Sequence, residues 1–253
     1  MFREEPKSNG ITVVIREVWA WNIESEFAII SSLIDKYPFI SMDTEFPGVI
    51  YRSDPRKKKN RGSGSGSGDD LYRLLKSNVD ELNLIQLGLT LSDASGNLPH
   101  LNNPNNQCYI WEFNFSDFDV DRDPHAADSV HLLTQQGIDF QRNKKEGVDS
   151  LTFAELIMSS GLLCNHSVSW VTFHSAYDFA YLIKILTRRP LPSSLLDFLA
   201  ITRVSRAVGK SHQAGSDSLL TWHAFQKMVH LFFRNHLPHN HSGVIYGLHL
   251  YSY

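Results

Sequence analysis

Three apolar segments that follow one another without an obvious helix between them constrain the fold of this 253-residue chain most strongly. They are "FISMDTE" from Phe39, "LNLIQLGLTLSD" from Leu82 and "CYIWEFNF" from Cys108. Apolar runs of this length that are bounded by Gly, Pro, Asn and Asp are typical of β-strands. Because loops alone join them, the three segments predict an antiparallel meander.

Helices and strands alternate in the second half of the chain. "DSVHLLTQQG" and "LTFAELIMSSG" predict two helices that end at Gly137 and Gly161. "VSWVTFH" predicts a strand that leads directly into a helix, "SAYDFAYLIKIL", and "DSLLTWHAFQKMVHLFF" predicts the last helix. Near the start, "ITVVIREVW" is followed by a helix that Asn22 can cap. This order predicts a mixed α/β sheet with helices concentrated on one face.

Residues 53–70 interrupt this pattern with a basic run, "RKKKNR", followed by "GSGSGSG". A Gly-Ser tract cannot bury apolar surface, so the segment predicts a flexible loop. The basic run is interpreted as a solvated part of that loop, with phosphate contact or nuclear targeting as the alternative. Otherwise the sequence predicts one domain over residues 1–253.

Overall composition excludes several classes of protein. The formal net charge is −3, which argues against coating of nucleic acid by bulk electrostatics. No apolar run approaches the roughly 20 residues of a membrane helix, so no membrane association is expected. Two cysteines are too few for a disulfide framework and fit a reducing compartment. The cytosol or the nucleus is therefore the expected location.

Two acids stand one residue apart at the end of the "FISMDTE" segment. Side chains alternate along a strand, so Asp43 and Glu45 point to the same side with backbones roughly 6.8 Å apart. Like charges at the edge of a core repel one another unless a cation neutralises them. The pair is therefore a candidate metal site.

The acid-x-acid spacing itself is weak evidence, since it occurs five times in the chain. Glu24 and Glu26 belong to the first turns of a helix, where acids favour the macrodipole without any ligand. The series from Asp117 to Asp123 resembles the start of a calcium-binding EF-hand loop. Arg122, however, occupies the position of the turn glycine, and Asp128 that of the bidentate glutamate. Context must therefore decide between these pairs.

Two further stretches carry candidate residues at helix starts. Asp178 falls in the first turn of a helix, where its spacing from Ser175 also fits a capping box. In "KSHQAGSDSLLTW", His212 and Asp217 flank a Gly-containing loop before the last helix. A loop histidine near a carboxylate is a reasonable general base, although Asp217 also suits a helix N-terminus without any ligand.

Together "SMDTEFPGV", "WVTFHSAYDFAYLIKIL" and "HQAGSDSLLT" resemble the DEDD superfamily of 3′→5′ exonucleases, in the form whose last motif is His-x4-Asp. They are most similar to its CAF/POP-type deadenylases, the poly(A)-removing subunits of the CCR–NOT complex. "LIQLGLTLSD", "GIDFQRN", "FAELIMSSGL" and "GVIYGL" match that family too, and "LTWHAF" resembles plant members. The likeness extends over nearly the whole chain.

The resemblance implies an RNase H-like sheet and a two-metal nuclease. Two Mg²⁺ or Mn²⁺ ions would be held by four carboxylates, with a histidine as proton acceptor. It implies poly(A)-specific 3′→5′ cleavage that releases 5′-AMP, with poly(A) RNA, the CCR–NOT scaffold and CCR-type nuclease subunits as partners in cytoplasm and nucleus. Phe46 is a weaker candidate for stacking on the terminal base. The implied metal ligands are Asp43, Glu45, Asp178 and Asp217, and the implied general base is His212.

One departure from the family is expected between Val204 and Ser205. There the family carries a strand, helices and a Gly-Gly-Leu turn, whereas "AITRV" here runs almost directly into "SRAVG". No implied metal ligand falls in the missing strand-helix segment, but its loss would uncover apolar surface. The alternative function is therefore a catalytically impaired subunit that binds partners in the same complex.

Overall fold

In the described part of the computed structural model of this protein, six strands form one mixed sheet in the order β1-β2-β5-β4-β3-β6. The pairs β1–β2, β3–β4 and β4–β5 are antiparallel, and β2–β5 and β3–β6 are parallel. The strands are β1 (Arg3–Pro6), β2 (Thr12–Val18), β3 (Phe39–Glu45), β4 (Gln86–Ser92), β5 (Gln107–Asn114) and β6 (Ser169–Thr172). The structure describes residues 3–6, 12–52, 68–101, 106–195, 197–198, 218–219, 221–223 and 225–226.

Helices lie between the strands along the chain, and one more helix follows β6. They are α1 (Ile23–Leu33), α2 (Gly68–Glu81), α3 (Ala127–Gln135), α4 (Phe140–Glu146), α5 (Ser150–Ser159) and α6 (Ala176–Thr187). A further helical segment is described at 218–219, 221–223 and 225–226 and is called the C-terminal segment below. Among the described helices, none combines the length and apolar character that crossing a membrane requires.

The predicted mixed α/β architecture is confirmed, and so is the antiparallel meander, formed by β3, β4 and β5. Two of the described helices were not predicted: α2, between β3 and β4, and α4, between α3 and α5. Helix α2 changes the predicted loop. Its first three residues, 68–70, were assigned to the flexible loop, which is a correction to the loop's end; residues 53–67 lie outside the described part. Helix α2 forms because Tyr72, Leu75 and Val79, with Leu82 directly after its end, recur at helical spacing and are all buried.

The two faces of the sheet are covered differently. On one face, Ile40 and Met42 of β3 belong to the main core, to which α1, α2, α5 and α6 contribute apolar side chains. On the other face a smaller cluster joins Val13, Ile110 and Val171 of the sheet to Trp222 and Phe225 of the C-terminal segment. Because side chains alternate along β3, this second face is also the one that carries Asp43 and Glu45.

Helix ends agree with the predicted stop signals but not with every predicted cap. Gly137 and Gly161 have φ of 99° and 86°, values that a glycine adopts without strain after α3 and α5. Asn22 precedes α1 as expected, but its side chain makes no capping hydrogen bond. Its oxygen accepts from the Trp19 amide at 2.7 Å, and its amide nitrogen donates to the Glu17 carbonyl at 3.0 Å. Asn22 therefore stabilises the turn before the helix.

Candidate active site

Asp43 and Glu45 end the apolar strand β3, as the sequence predicted. The Asp43 side chain is half-buried and Glu45 is buried. Asp43 lies opposite Gly88 of β4, which has no side chain to fill the space beside the carboxylate. Glu45 lies opposite Gln86, whose side chain donates to Asn114 of β5 at 2.9 Å. The two acids thus sit at the edge of a polar part of the sheet surface.

Asp178 reaches the same strand end from α6. It lies in the first turn of the helix and is 6% exposed. Thr44 Oγ1 donates to Asp178 Oδ1 at 2.7 Å. The carboxylate is thus hydrogen-bonded to the residue between Asp43 and Glu45. Since alternation points Thr44 to the opposite side from those two acids, Asp178 approaches β3 from the face of the main core.

The environment of Asp178 is electrostatically unfavourable for a carboxylate. Burial raises its pKa to about 6, and the hydrogen bond from Thr44 opposes that rise. No Lys or Arg in the described part of the chain forms an ion pair with it. The capping-box interpretation is also weakened, because the Ser175 side chain makes no capping hydrogen bond. A nearby cation would favour the ionised form of this carboxylate.

The two remaining predicted residues, His212 and Asp217, lie outside the described residues. Their neighbour Ser218 is described and is fully buried on the face that carries Asp43. Ser41 Oγ donates to the Ser218 carbonyl at 2.6 Å, and Thr90 Oγ1 lies 2.7 Å from Ser218 Oγ. The C-terminal segment therefore contacts the sheet close to Asp43, since Ser41 lies two positions before Asp43 on β3 and on the same face.

Phe46 follows Glu45 and packs against α6. Its ring stacks on Tyr177 with centroids 5.0 Å apart and an interplanar angle of 15°. A tilted contact with Tyr181 has a centroid distance of 5.1 Å. The aromatic surface of Phe46 is thus partly used inside the protein, and its role in stacking a base stays a prediction.

Within the described ranges, no group of three or more His, Cys, Asp or Glu side chains is placed to hold one metal ion. Asp43 and Glu45 lie on one side of the end of β3 and Asp178 on the other, so these three carboxylates do not form one cluster. All three offer carboxylate oxygens, the ligands that hard divalent cations such as Mg²⁺ and Mn²⁺ prefer. The donor chemistry therefore fits the implied metals.

The alternative acid-rich series has structural roles instead. Asp117 accepts from the amide and hydroxyl of Ser150 at the start of α5. Asp119 forms an ion pair with Lys144 at 2.6 Å. Asp123 accepts from the Asp119 amide at 2.9 Å. These contacts hold the loop before α3 and explain its acids without calcium.

Several residues of the site were not predicted. Thr44 is hydrogen-bonded to Asp178, and Ser41 and Thr90 are hydrogen-bonded to Ser218 of the C-terminal segment. The available signal was the pattern of β3 itself, in which Ser41, Asp43 and Glu45 put polar groups on one side of an apolar strand. Such a row indicates that another segment packs on that face. Which segment it is depends on a contact between residues 177 positions apart in sequence, Ser41 and Ser218.

The chain is similar in sequence to known ribonucleases. Residues 18–156, more than half of the chain, match the family described as CAF1 family ribonuclease. The chain is 43% identical to Probable CCR4-associated factor 1 homolog 7 of Arabidopsis thaliana, covering 94% of each protein. It is 37% identical to the Poly(A) ribonuclease pop2 of Schizosaccharomyces pombe, over 92% of this chain and 75% of that protein. The Arabidopsis alignment has 267 positions, more than the 253 residues present here, so this chain lacks residues that the relative has.

Solved structures show the same fold. The Mg²⁺- and Mn²⁺-bound form of S. pombe Pop2p superimposes with a TM-score of 0.77 at 38% identity, covering 92% of this chain and 99% of that one. A structure of the yeast NOT1 MIF4G domain co-crystallised with CAF1 contains a chain with a TM-score of 0.73 at 30% identity, covering 96% and 99%. Sequence, fold and the carboxylates at the end of β3 lead to one conclusion: the chain belongs to the CAF1 family of ribonucleases.

Proposed function

We propose that the protein is a poly(A)-specific 3′→5′ exoribonuclease that shortens mRNA tails and releases 5′-AMP. The observation that carries the proposal is the set of carboxylates at the end of β3, with Asp178 attached to Thr44 between Asp43 and Glu45. The S. pombe relative is named as a poly(A) ribonuclease, and a structure of that protein is described with Mg²⁺ and Mn²⁺ bound. Both facts favour metal-dependent cleavage of poly(A).

Four carboxylates would hold the metal ions. Asp43, Glu45 and Asp178 supply three of them, and we propose Asp217 as the fourth. Support for Asp217 comes from Ser218, its neighbour in sequence, which is hydrogen-bonded to Ser41 on the face of Asp43. When bound, two divalent ions about 3.5–4 Å apart would activate a water molecule and stabilise the leaving oxygen.

The protein's own residues would position the reactants. His212, which precedes the C-terminal segment in sequence, would take the proton of the attacking water as general base. Thr44 keeps the Asp178 carboxylate in one orientation through its hydrogen bond. Phe46 would contact the base of the terminal nucleotide with the part of its ring that Tyr177 leaves accessible.

We further propose that the enzyme works in the CCR–NOT complex, with the scaffold and a CCR-type nuclease as neighbours, in cytoplasm and nucleus. A structure of the NOT1 MIF4G domain with CAF1 supports a scaffold contact. Retention of Asp43, Glu45, Asp178 and Asp217 favours an active enzyme over an impaired partner-binding subunit, even though the chain lacks residues present in its relative.

A direct test uses 5′-labelled oligo(A) RNA with purified protein and Mg²⁺ or Mn²⁺. The expected result is stepwise shortening from the 3′ end with 5′-AMP as the product, and slower shortening of oligo(U) of equal length. Activity that persists in excess EDTA would contradict the metal-dependent mechanism. Complete inactivity of well-folded wild-type protein would instead favour the impaired subunit.

A further inference from the structure

A cavity of about 320 Å³ lies at the opposite end of α6 from Asp178. Its walls come from the ends of α2, α5 and α6 and from the residues that follow α6. Ten positions of helix separate Asp178 from Arg188, roughly 15 Å along the axis. The arginine end of the cavity therefore lies well away from Asp178, and the size of the cavity falls at the lower end of the roughly 300–1,000 Å³ typical of small-molecule sites.

Hydrogen bonds hold the walls of this cavity in place. Lys184 Nζ donates to the carbonyls of Val79 and Leu82, both at 2.9 Å, and so caps the last turn of α2. The Leu191 amide donates to Asp80 Oδ1 at 2.8 Å, which ties the segment after α6 to α2. The space is therefore preformed and does not depend on a mobile lid.

Two arginines at the cavity carry positive charge that the described residues do not pair. Arg188 and Arg189 both line the cavity and are exposed. Neither forms an ion pair with any acid in the part of the chain that the structure describes. Burial opposes the lowering of the Asp149 pKa, hydrogen bonds from Thr152 and Leu151 produce it, and Arg188 adds only a smaller contribution through space. Adjacent guanidinium groups with fixed donors suit a phosphate group.

Tyr181 forms part of the cavity wall and is 1% exposed. Its hydroxyl is buried and out of reach of solvent, and its ring also packs on Phe46. Tyr181 therefore contributes aromatic surface to the cavity, and its hydroxyl is not a contact for a ligand.

We propose that this cavity binds a nucleoside 5′-monophosphate, with 5′-AMP as the physiological ligand. Its phosphate would contact Arg188 and Arg189, and the nucleoside would pack against the apolar walls formed by Leu84 and Ile185. The choice of adenosine rests on the proposed function, since 5′-AMP is the product of that reaction and accumulates around a working enzyme.

The acids of the cavity favour a nucleotide over a simple anion. Asp80 and Asp117 also line the space and would repel inorganic phosphate on that side. Ribose hydroxyls and an exocyclic amine are hydrogen-bond donors, so a nucleoside complements the carboxylates while its phosphate contacts the arginines.

Isothermal titration calorimetry on the full chain in EDTA tests the proposal, because nucleotide cannot then bind through metal at the β3 site. We expect saturable binding of 5′-AMP with a Kd below about 1 mM. Adenosine and inorganic phosphate should each bind at least about tenfold more weakly, because each lacks half of the contacts. No saturable binding of 5′-AMP below about 5 mM would overturn the proposal.

Variants place the ligand in this cavity. Arg188→Gln with Arg189→Gln should weaken binding at least about tenfold. Lys36→Gln is the control, since Lys36 is exposed and far in sequence from every residue that lines the cavity, and it should leave the Kd unchanged. Equal affinity in the double arginine variant and wild type would place the nucleotide elsewhere.

Because the titration contains neither metal nor RNA, its result is independent of the oligo(A) assay. A protein that shortens oligo(A) but fails to bind 5′-AMP in EDTA would overturn this proposal alone. A protein that binds 5′-AMP at the arginines but leaves oligo(A) intact would overturn the proposed nuclease and retain the cavity as a nucleotide site.

Discussion

Glu26 and Asp178 are two buried acids in the first turns of helices that pack on the same face of the sheet, yet they are balanced in opposite ways. Glu26, at 5% exposure, accepts two hydrogen bonds from Arg16 at 2.6 and 2.7 Å and one from the Trp111 indole at 2.9 Å. Asp178, at 6% exposure, accepts from the Thr44 hydroxyl and has no cationic partner among the described residues.

This difference separates a structural acid from a functional one. A buried carboxylate with its own guanidinium is neutralised inside the protein and needs nothing more. A buried carboxylate without a cation keeps a raised pKa and gains from any cation that approaches it. Position in the first helical turn does not distinguish the two, since Glu26 and Asp178 share it. Their partners do.

The largest expected effect is on catalysis at Asp178. Asp178→Asn keeps the shape of the side chain but removes the charge of a proposed metal ligand. Turnover of oligo(A) should fall by about a thousandfold, equivalent to about 4 kcal/mol of transition-state free energy. Single-turnover assays with Mg²⁺ measure this, with Glu24→Gln, an exposed acid of α1, as the control. A variant with near-normal turnover would make Asp178 a structural acid like Glu26.

Neutralising Glu26 should have the opposite pattern. Glu26→Gln leaves Arg16 without its counter-ion, and we expect the free energy of unfolding to fall by about 3 kcal/mol. Turnover per folded molecule should stay close to wild type, because Glu26 bonds to residues of β2 and β5 and has no role in the proposed mechanism. Urea denaturation and active-fraction assays measure the two quantities. A loss of turnover without loss of stability would reverse the assignment.

Asp178→Asn should also stabilise the metal-free protein. The folded-state pKa of Asp178, about 6, is above its usual value of 3.8, so the folded state holds this proton more tightly than the unfolded state does. The ionised carboxylate therefore costs stability above pH 6, and the cost disappears as pH falls below 4. In EDTA the variant should gain about 2–3 kcal/mol at pH 7.5 and much less near pH 4.5.

Urea denaturation of both proteins at the two pH values measures that difference. Glu24→Gln serves again as the control and should show no comparable gain. A variant that is less stable than wild type at pH 7.5 in EDTA would mean that the charge of Asp178 is already compensated within the chain.

The smallest expected effect concerns the hydrogen bond to Thr44. Thr44→Val is nearly isosteric and removes the donor to Asp178. Metal-free stability should fall by about 1–2 kcal/mol, and turnover about tenfold, as for other partners that orient a metal ligand. Thr44→Ser restores the donor and should recover most of the turnover. If serine and valine behave alike, the threonine contributes through packing and does not orient Asp178.

The sequence predicted what depends on local pattern. Acids at the end of an apolar strand, strand-to-helix junctions and helix stops at Gly137 and Gly161 are all short-range features. The sequence also predicted the antiparallel meander of β3, β4 and β5, because strands that are neighbours in sequence usually pair.

Contacts between distant parts of the chain were not predictable in the same way. Glu26 was assigned to the first turns of a helix, where an acid favours the macrodipole without any ligand, but the sheet register places Arg16 and Trp111 beside it. Thr44 meets Asp178 across 134 positions, which no local pattern encodes. The sequence was not interpreted as a helix at α2, although the apolar spacing is present, because the Gly-Ser tract directly before it predicts a loop.

The central claim is that the acids at the end of β3 act with Asp217 as one metal site. Electron paramagnetic resonance of free Mn²⁺ during titration of the full chain measures how many ions bind. We predict two bound Mn²⁺ ions per chain for wild type, and loss of at least one in both Asp43→Asn and Asp217→Asn. Absence of bound Mn²⁺ in folded wild-type protein, or equal binding by wild type and both variants, would contradict the claim.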